Sequence, residues 1–146
     1  INSLEIDPLV LEQHVIKLGK KFDLIEKNEV RYEEYNISAD NDVVVVAFGT
    51  AARIAKSAID ELQENGKSVG MIRPITVWPY PYEEISNVLH DKVKKVVVCE
   101  LNLGQMVEDV KLAVNGKLPV EFIGKVGGIL FTPDEIKAKI LEGEGE

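Results

Sequence analysis

Cysteine is nearly missing from this chain: Cys99 is alone among 146 residues. One thiol forms no internal disulfide, and the chain opens without the charged, apolar and small-residue succession of a secretory signal, so a reducing cytoplasm is the expected compartment. Long apolar runs are missing too. The longest, "VVVVAF" at 43–48, is far short of the roughly 20 residues that span a bilayer, and no membrane partner is expected. Positive charge is scarce: 17 Lys and Arg stand against 25 Asp and Glu, a formal net charge of −8. Such a surface repels nucleic-acid phosphates and anionic lipid, which disfavours a nucleic-acid role. Neither G-x-G-x-x-G nor G-x-x-x-x-G-K-[ST] occurs, which removes the dinucleotide fingerprint and the Walker loop. His14 and His90 lie far apart, with no HxxxH or CxxC spacing to hold a metal. A Ser, His and Asp set with a local signature is absent as well. Residue types and spacing therefore predict no catalytic group and no metal site.

What is present is strongly patterned. Hydrophobic residues make up 45% and charged residues 29%, the balance of a folded domain, and the length suits one domain with an appended segment. The chain starts on Ile1 rather than Met, which suggests a processed product or a piece of a longer chain. From Asp7 and Pro8 to about residue 30, Leu11, Val15, Leu18, Phe22 and Ile25 repeat at spacings of four and three, behind an Asp cap and a Pro suited to a first helical turn. This predicts a long amphipathic helix packed on its own or a neighbouring domain; the seam is too short for a convincing coiled coil. "RYEEYNI" at 31–37 reads as a short edge strand.

A regular rhythm follows. Strands are expected at 43–48, 68–73, 94–101 and 119–124, and helices at 51–64, 81–89, 105–114 and from about 132 to 141. Asn65 and Gly66 close the helix at 51–64. "TPDE" sets Thr132 as cap and Glu135 as the partner of a capping box. The four strands are near-continuous apolar runs, as strands buried on both faces are, and they alternate with helices. The fold class is therefore α/β, a three-layer α/β/α sandwich on a mostly parallel sheet. By region, 1–30 is a helix or linker, 31–141 the α/β domain and 142–146 an acidic tail.

In such a sheet ligands meet the loops at the carboxyl ends of the strands. Here these are "GTAAR" (49–53), "RPITVWPYP" (73–81), "ELNLGQ" (100–105) and "GKVGG" (124–128). Gly49 and Thr50 precede a helix N-terminus, where free amides and the helix dipole favour an anion, although turn and cap chemistry explains them as well. Arg53 follows in the same loop. Glu100, Asn102 and Gln105 gather at one strand end, where a carboxylate beside two amides can hold a partner's backbone or a neighbouring cap. Cys99 sits inside an apolar strand and is read as packed core.

Taken together, residues 43–81 with "RPITVWPYP", then "VVVCELNLGQMVEDVK" and "VEFIGKVGG", closely resemble the C-terminal part of the alpha subunit of 2-oxoacid:ferredoxin oxidoreductases. The subunits for 2-oxoglutarate and branched-chain 2-oxoacids such as 2-ketoisovalerate are nearer than the fused pyruvate enzymes. The likeness runs over nearly the whole chain, and "RPITVWPYP" with "ELNLGQ" at this spacing carries it more specifically than any glycine loop. The resemblance implies a domain like the C-terminal domain of transketolase, with one antiparallel edge strand that "YEEYNI" would supply. It implies a complex that turns a 2-oxoacid, coenzyme A and oxidised ferredoxin into acyl-CoA, carbon dioxide and reduced ferredoxin. That complex uses thiamine diphosphate and iron–sulfur clusters. The domains that bind thiamine diphosphate lie, by the same resemblance, upstream of this region and on the beta subunit, and one cysteine falls short of a cluster's four ligands. The chain is thus expected to bind no cofactor and to be inactive alone.

Prolines stiffen a loop before it docks, so less entropy is lost on binding, and Trp and Tyr are the residues that anchor interfaces. The expectation is that Arg73, Pro74, Trp78, Tyr80 and the loop with Glu100, Asn102, Gly104 and Gln105 face another domain or subunit: the beta subunit, other subunits, ferredoxin indirectly, or a second copy in a homodimer. Trp78 can also cap its own core. The alternative is a stand-alone module in which Gly49, Thr50 and the "GKVGG" loop with Lys125 hold phosphate or coenzyme A.

Overall fold

Asp7 starts the first helix as its sequence suggests. In the computed structural model, which describes residues 4–143, the Asp7 carboxylate accepts from the amides of Leu9 and Val10 at 2.9 and 3.4 Å. Helix α1 then runs Pro8–Asn28. Its stripe faces little of this chain: no residue of α1 is buried, and Leu11, Val15 and Phe22 are exposed. Of the acidic tail, Glu144, Gly145 and Glu146 lie outside the described residues.

The rest alternates. Strands β1 (Tyr32–Tyr35) and β2 (Val43–Ala47) precede helix α2 (Gly49–Glu64), then come β3 (Val69–Pro74), α3 (Tyr82–Asn87), β4 (Lys95–Glu100), α4 (Met106–Val114), β5 (Val120–Gly124) and α5 (Pro133–Leu141). They form one sheet in the order β1-β3-β2-β4-β5. β2 pairs in parallel with β3 and β4, and β4 with β5, while β1 alone is antiparallel, with Glu33 opposite Arg73 on β3. All five residues of β2 and all six of β4 are buried, which is why these strands read as unbroken apolar runs. Helices α2 and α5 cover one face, packing Ala55, Ile59, Ile136 and Ile140 on Val43, Val45, Val97 and Cys99. On the other face, α3 and α4 bring Ile85, Val107, Val110 and Val114 to Val46, Ile72, Val96 and Val98. Each Val so buried is worth at least roughly 1.5 kcal/mol of transfer free energy. Both faces are closed within residues 32–141, with Tyr35 packing on the one and Ile37 on the other.

Helix boundaries differ from the sequence reading where backbone geometry decides. Helix α2 begins at Gly49, two residues early, because Gly49 turns the chain out of β2 at φ +57°. Helix α3 is shorter than expected and closes through Leu89 N–H to Ser86 O at 3.3 Å. Thr132 and Glu135 form the expected capping box at α5, and Asn65 with Gly66 at φ +80° ends α2.

Candidate functional site

Because β2, β3, β4 and β5 are parallel, the four loops singled out in the sequence emerge from one edge of the sheet. Their side chains have different fates there. At the end of β4, Glu100 is fully buried. Its carboxylate accepts from the amides of Met106 and Val107 at 2.8 and 2.9 Å, from Gln105 N–H at 3.3 Å, and from Asn102 Nδ2 at 3.0 Å. Asn102 in turn accepts from Gly104 N–H at 2.7 Å. Glu100 therefore does the work of the missing cap: Gln105 precedes α4 without a side-chain bond, and a carboxylate from the adjacent strand satisfies the orphan amides. The loop is sealed further by Gly124 on β5, where a Cβ would stand 2.5 Å from the backbone oxygen of Asn102.

Two more of the expected edge residues are interior. Tyr80 is only 6% exposed, and Pro74 is buried at the end of β3. The Tyr80 hydroxyl has no partner among the described residues, and its burial, with the charges of Asp109 and Glu100 behind it, pushes its pKa up. Within this chain these two and Glu100 are buried, and the contacts they make here are internal. Lys125 is also committed: its ammonium lies 2.6 Å from Glu135 of the α5 capping box. Moreover β4 stands between β2 and β5 in the sheet, so one strand separates Gly49 from the "GKVGG" loop.

The proline loop leaves β3 on a hydroxyl staple. Thr76 accepts from Arg31 N–H at 3.0 Å and donates to Pro79 O at 2.8 Å. The following turn holds a cis peptide between Trp78 and Pro79. Trp78 stays half exposed and meets Phe22 of α1 edge to face, with ring centroids 5.7 Å apart. Tyr82 packs on Tyr80 at 5.0 Å and donates to Asp109 at 2.5 Å, a bond that pushes its pKa up to about 12. Between α1 and this loop lies a groove of about 810 Å³ walled by Asp23, Glu26, Glu83 and Glu84 against Lys27, with Trp78 and Tyr82.

The apolar rim is what the edge presents to its surroundings. Leu103 is 86% exposed, Val77 73% and Ile129 64%. No polar periodicity hides these residues; the sequence reading passed over them because a single apolar residue in a loop carries no local signal. Lys56, Glu33 and Thr76 were missed for the same reason: their roles arise from residues 23 to 45 positions away.

Chemically the edge offers little for catalysis. Cys99 is buried, and that burial, with Glu100 beside it, pushes the thiol up to about 12, so no thiolate forms near neutral pH. Among the described residues no three His, Cys, Asp or Glu gather as metal ligands. An iron–sulfur cluster does not fit one interior cysteine. The carboxylates of the large groove repel phosphate, and the cationic concavity beside Arg53 holds about 220 Å³. No helix among the described residues is long and apolar enough to cross a membrane.

Residues 41–136 match the family described as pyruvate:ferredoxin oxidoreductase core domain II. The chain is similar along its full length, at 40% identity over 146 residues, to the ketoisovalerate oxidoreductase subunit VorB of Methanothermobacter marburgensis, of which it covers 41%. It is 32% identical over 137 residues to the 2-oxoglutarate synthase subunit KorA of Methanocaldococcus jannaschii, covering 94% of this chain and 36% of that one. It thus spans about two-fifths of the length of these curated relatives. Among solved structures, the 2-oxoglutarate:ferredoxin oxidoreductase from Magnetococcus marinus with 2-oxoglutarate, coenzyme A and succinyl-CoA bound aligns over 94% of this chain and 24% of its own. The TM-score is 0.74 at 21% identity. A split-gene transketolase, an inactive beta4 tetramer, covers 75% of this chain and 36% of its own at TM-score 0.53 and 18% identity. At these identities the shared feature is the fold, the transketolase-like sandwich with its antiparallel edge.

Proposed function

The chain belongs to the pyruvate:ferredoxin oxidoreductase core domain II family, and on that premise we propose that it is a structural, subunit-interface domain of the alpha subunit of a 2-oxoacid:ferredoxin oxidoreductase. The complex would convert a 2-oxoacid, coenzyme A and oxidised ferredoxin to acyl-CoA, carbon dioxide and reduced ferredoxin, in the cytoplasm. Thiamine diphosphate, the iron–sulfur clusters and coenzyme A would be carried by other parts of the assembly. Helix α1, which buries none of its residues in this chain, would connect the α/β body to another part of the subunit.

The observation that carries this reading is the exposed apolar rim on the functional edge, Val77, Trp78, Leu103 and Ile129, beside a carboxylate already consumed in capping. A domain edge that keeps large apolar groups in water and no reactive group within reach is built for contact rather than chemistry. Partners are the beta subunit and the other subunits, with ferredoxin engaged indirectly and homodimerisation as the competing geometry.

The test uses the complete alpha subunit co-expressed with its beta subunit. Trp78→Ala together with Leu103→Ser should release the beta subunit on size-exclusion chromatography while the circular dichroism spectrum and unfolding midpoint of the alpha subunit stay near those of the parent. An intact complex from the folded double variant would overturn the reading.

A further inference from the structure

The ends of β2 and β3 leave a concavity that the interface reading does not use. It holds about 220 Å³ and is lined by Gly49, Ala52, Arg53, Lys56 and Arg73. In a chain of net charge −8, three cations converge on one small hollow. Glu33 neutralises part of that charge: its carboxylate accepts from Lys56 Nζ at 2.5 Å and Arg73 Nη1 at 2.6 Å. Lys56 first and Arg73 second hold its pKa below the ordinary carboxylate value, so it is ionised near neutral pH. Three cations against one carboxylate leave two positive charges.

Arg53 is the unspent one. Its side chain is exposed and has neither a hydrogen bond nor an ion pair among the described residues. Beside it, helix α2 starts with Phe48 at the cap position and no side-chain bond to its first amides. Gly49 stands there at φ +57° with nothing within 4 Å of where a Cβ would be, so the backbone is open to approach.

We propose that this hollow binds a phosphoryl dianion, either inorganic phosphate or the terminal phosphate of a small ester. Two residual positive charges match a dianion, whereas a single carboxylate would leave one uncompensated. The guanidinium fork of Arg53 suits two oxygens of one tetrahedral group. Size argues the same way, since the hollow lies below the roughly 300 Å³ at which pockets begin to enclose whole small molecules. This assignment is independent of the interface reading.

The test titrates the isotopically labelled 146-residue chain with inorganic phosphate at low ionic strength and follows amide and Arg Nε shifts by NMR. Saturable shifts are expected at Gly49, Thr50, Ala51 and Arg53. Arg53→Gln should weaken binding about tenfold, the loss of one charge-assisted contact, whereas Lys125→Gln should leave it unchanged. Glycerol phosphate in a parallel titration separates the sources: binding as tight as phosphate or tighter points to an ester, much weaker binding to the free ion. Non-saturable shifts, shifts spread over all surface cations, or equal effects of the two variants would overturn the proposal. Because Arg53 is exposed, the variant should keep its fold, and the shift map of the parent decides the matter even if it does not.

Discussion

At the carboxyl end of β4 the charge turns inward, and at the ends of β2 and β3 it turns outward. The two regions are neighbours in one sheet and use a similar vocabulary of glycine, amide and charged residues. Glu100 is sunk completely and spends its oxygens on four donors of its own loop and helix. The side chain of Arg53, on the helix that follows the neighbouring strand β2, has no partner among the described residues. A buried carboxylate must be satisfied locally because desolvation is costly, whereas an exposed guanidinium can wait for a ligand. Similar loop composition therefore says where function can sit in such a sheet, and burial says which loop has been used up as scaffolding.

The sharpest way to break the contrast is Glu100→Gln. It turns an NH2 donor toward amides that need an acceptor and removes the charge facing the start of α4, so stability in urea should fall by about 3 kcal/mol. A loss below about 1 kcal/mol would mean that Glu100 is not the effective cap. Gly124→Ala comes next. The new methyl meets the Asn102 carbonyl at 2.5 Å, and about 2 kcal/mol should be lost, with the amide resonances of the "ELNLGQ" loop displaced. At the open edge the matching change is milder: Gly49→Ala meets no atom and suffers only its left-handed φ, about 1 kcal/mol. Equal costs at the two glycines would dissolve the distinction between a closed and an open edge.

The smallest effect is electrostatic. The pKa of Glu33 is depressed in the folded chain by Lys56 and Arg73, so its contribution is complete above the unfolded value of about 4.3 and is lost as pH falls through the lower folded value. Its side chain is 34% exposed, so only a few tenths of a kcal/mol should separate parent from Glu33→Gln at pH 7. That gap should close on acidification below pH of about 4, read from unfolding curves across the acid range. A gap that widens in acid would remove Glu33 from its role between the two cations.

Much of this was legible in the sequence because it is local or periodic. The apolar runs of β2 and β4, the stripe of α2 and the box of Thr132 and Glu135 depend on residues a few positions apart. The edge strand at 32–35 was legible from its own imperfect alternation, and its antiparallel direction followed from the resemblance. What stayed hidden depends on distant neighbours. Nothing near Tyr80 says that it turns inward while Trp78 two residues earlier stays half in water. Lys125 looks available until α5 brings Glu135 to it, and Glu33 with Arg73, 40 residues apart, meet only when β1 pairs with β3. The packing of α1 was expected from its stripe, yet within this chain most of that stripe finds nothing to cover it.

That last feature sets a clock. A helix of 21 residues that buries none of them fully leans on its Asp7 cap, the half-buried Leu18 and Ile25 and the edge-on meeting of Phe22 with Trp78, and most helical stability in proteins comes from packing. Its amides should exchange with solvent deuterium through local opening long before those of β2 and β4, whose release requires the whole core to come apart. One molecule would then carry two lifetimes, a short one in the segment that awaits a surface and a long one in the sheet, and docking of α1 would be visible as the merging of the two.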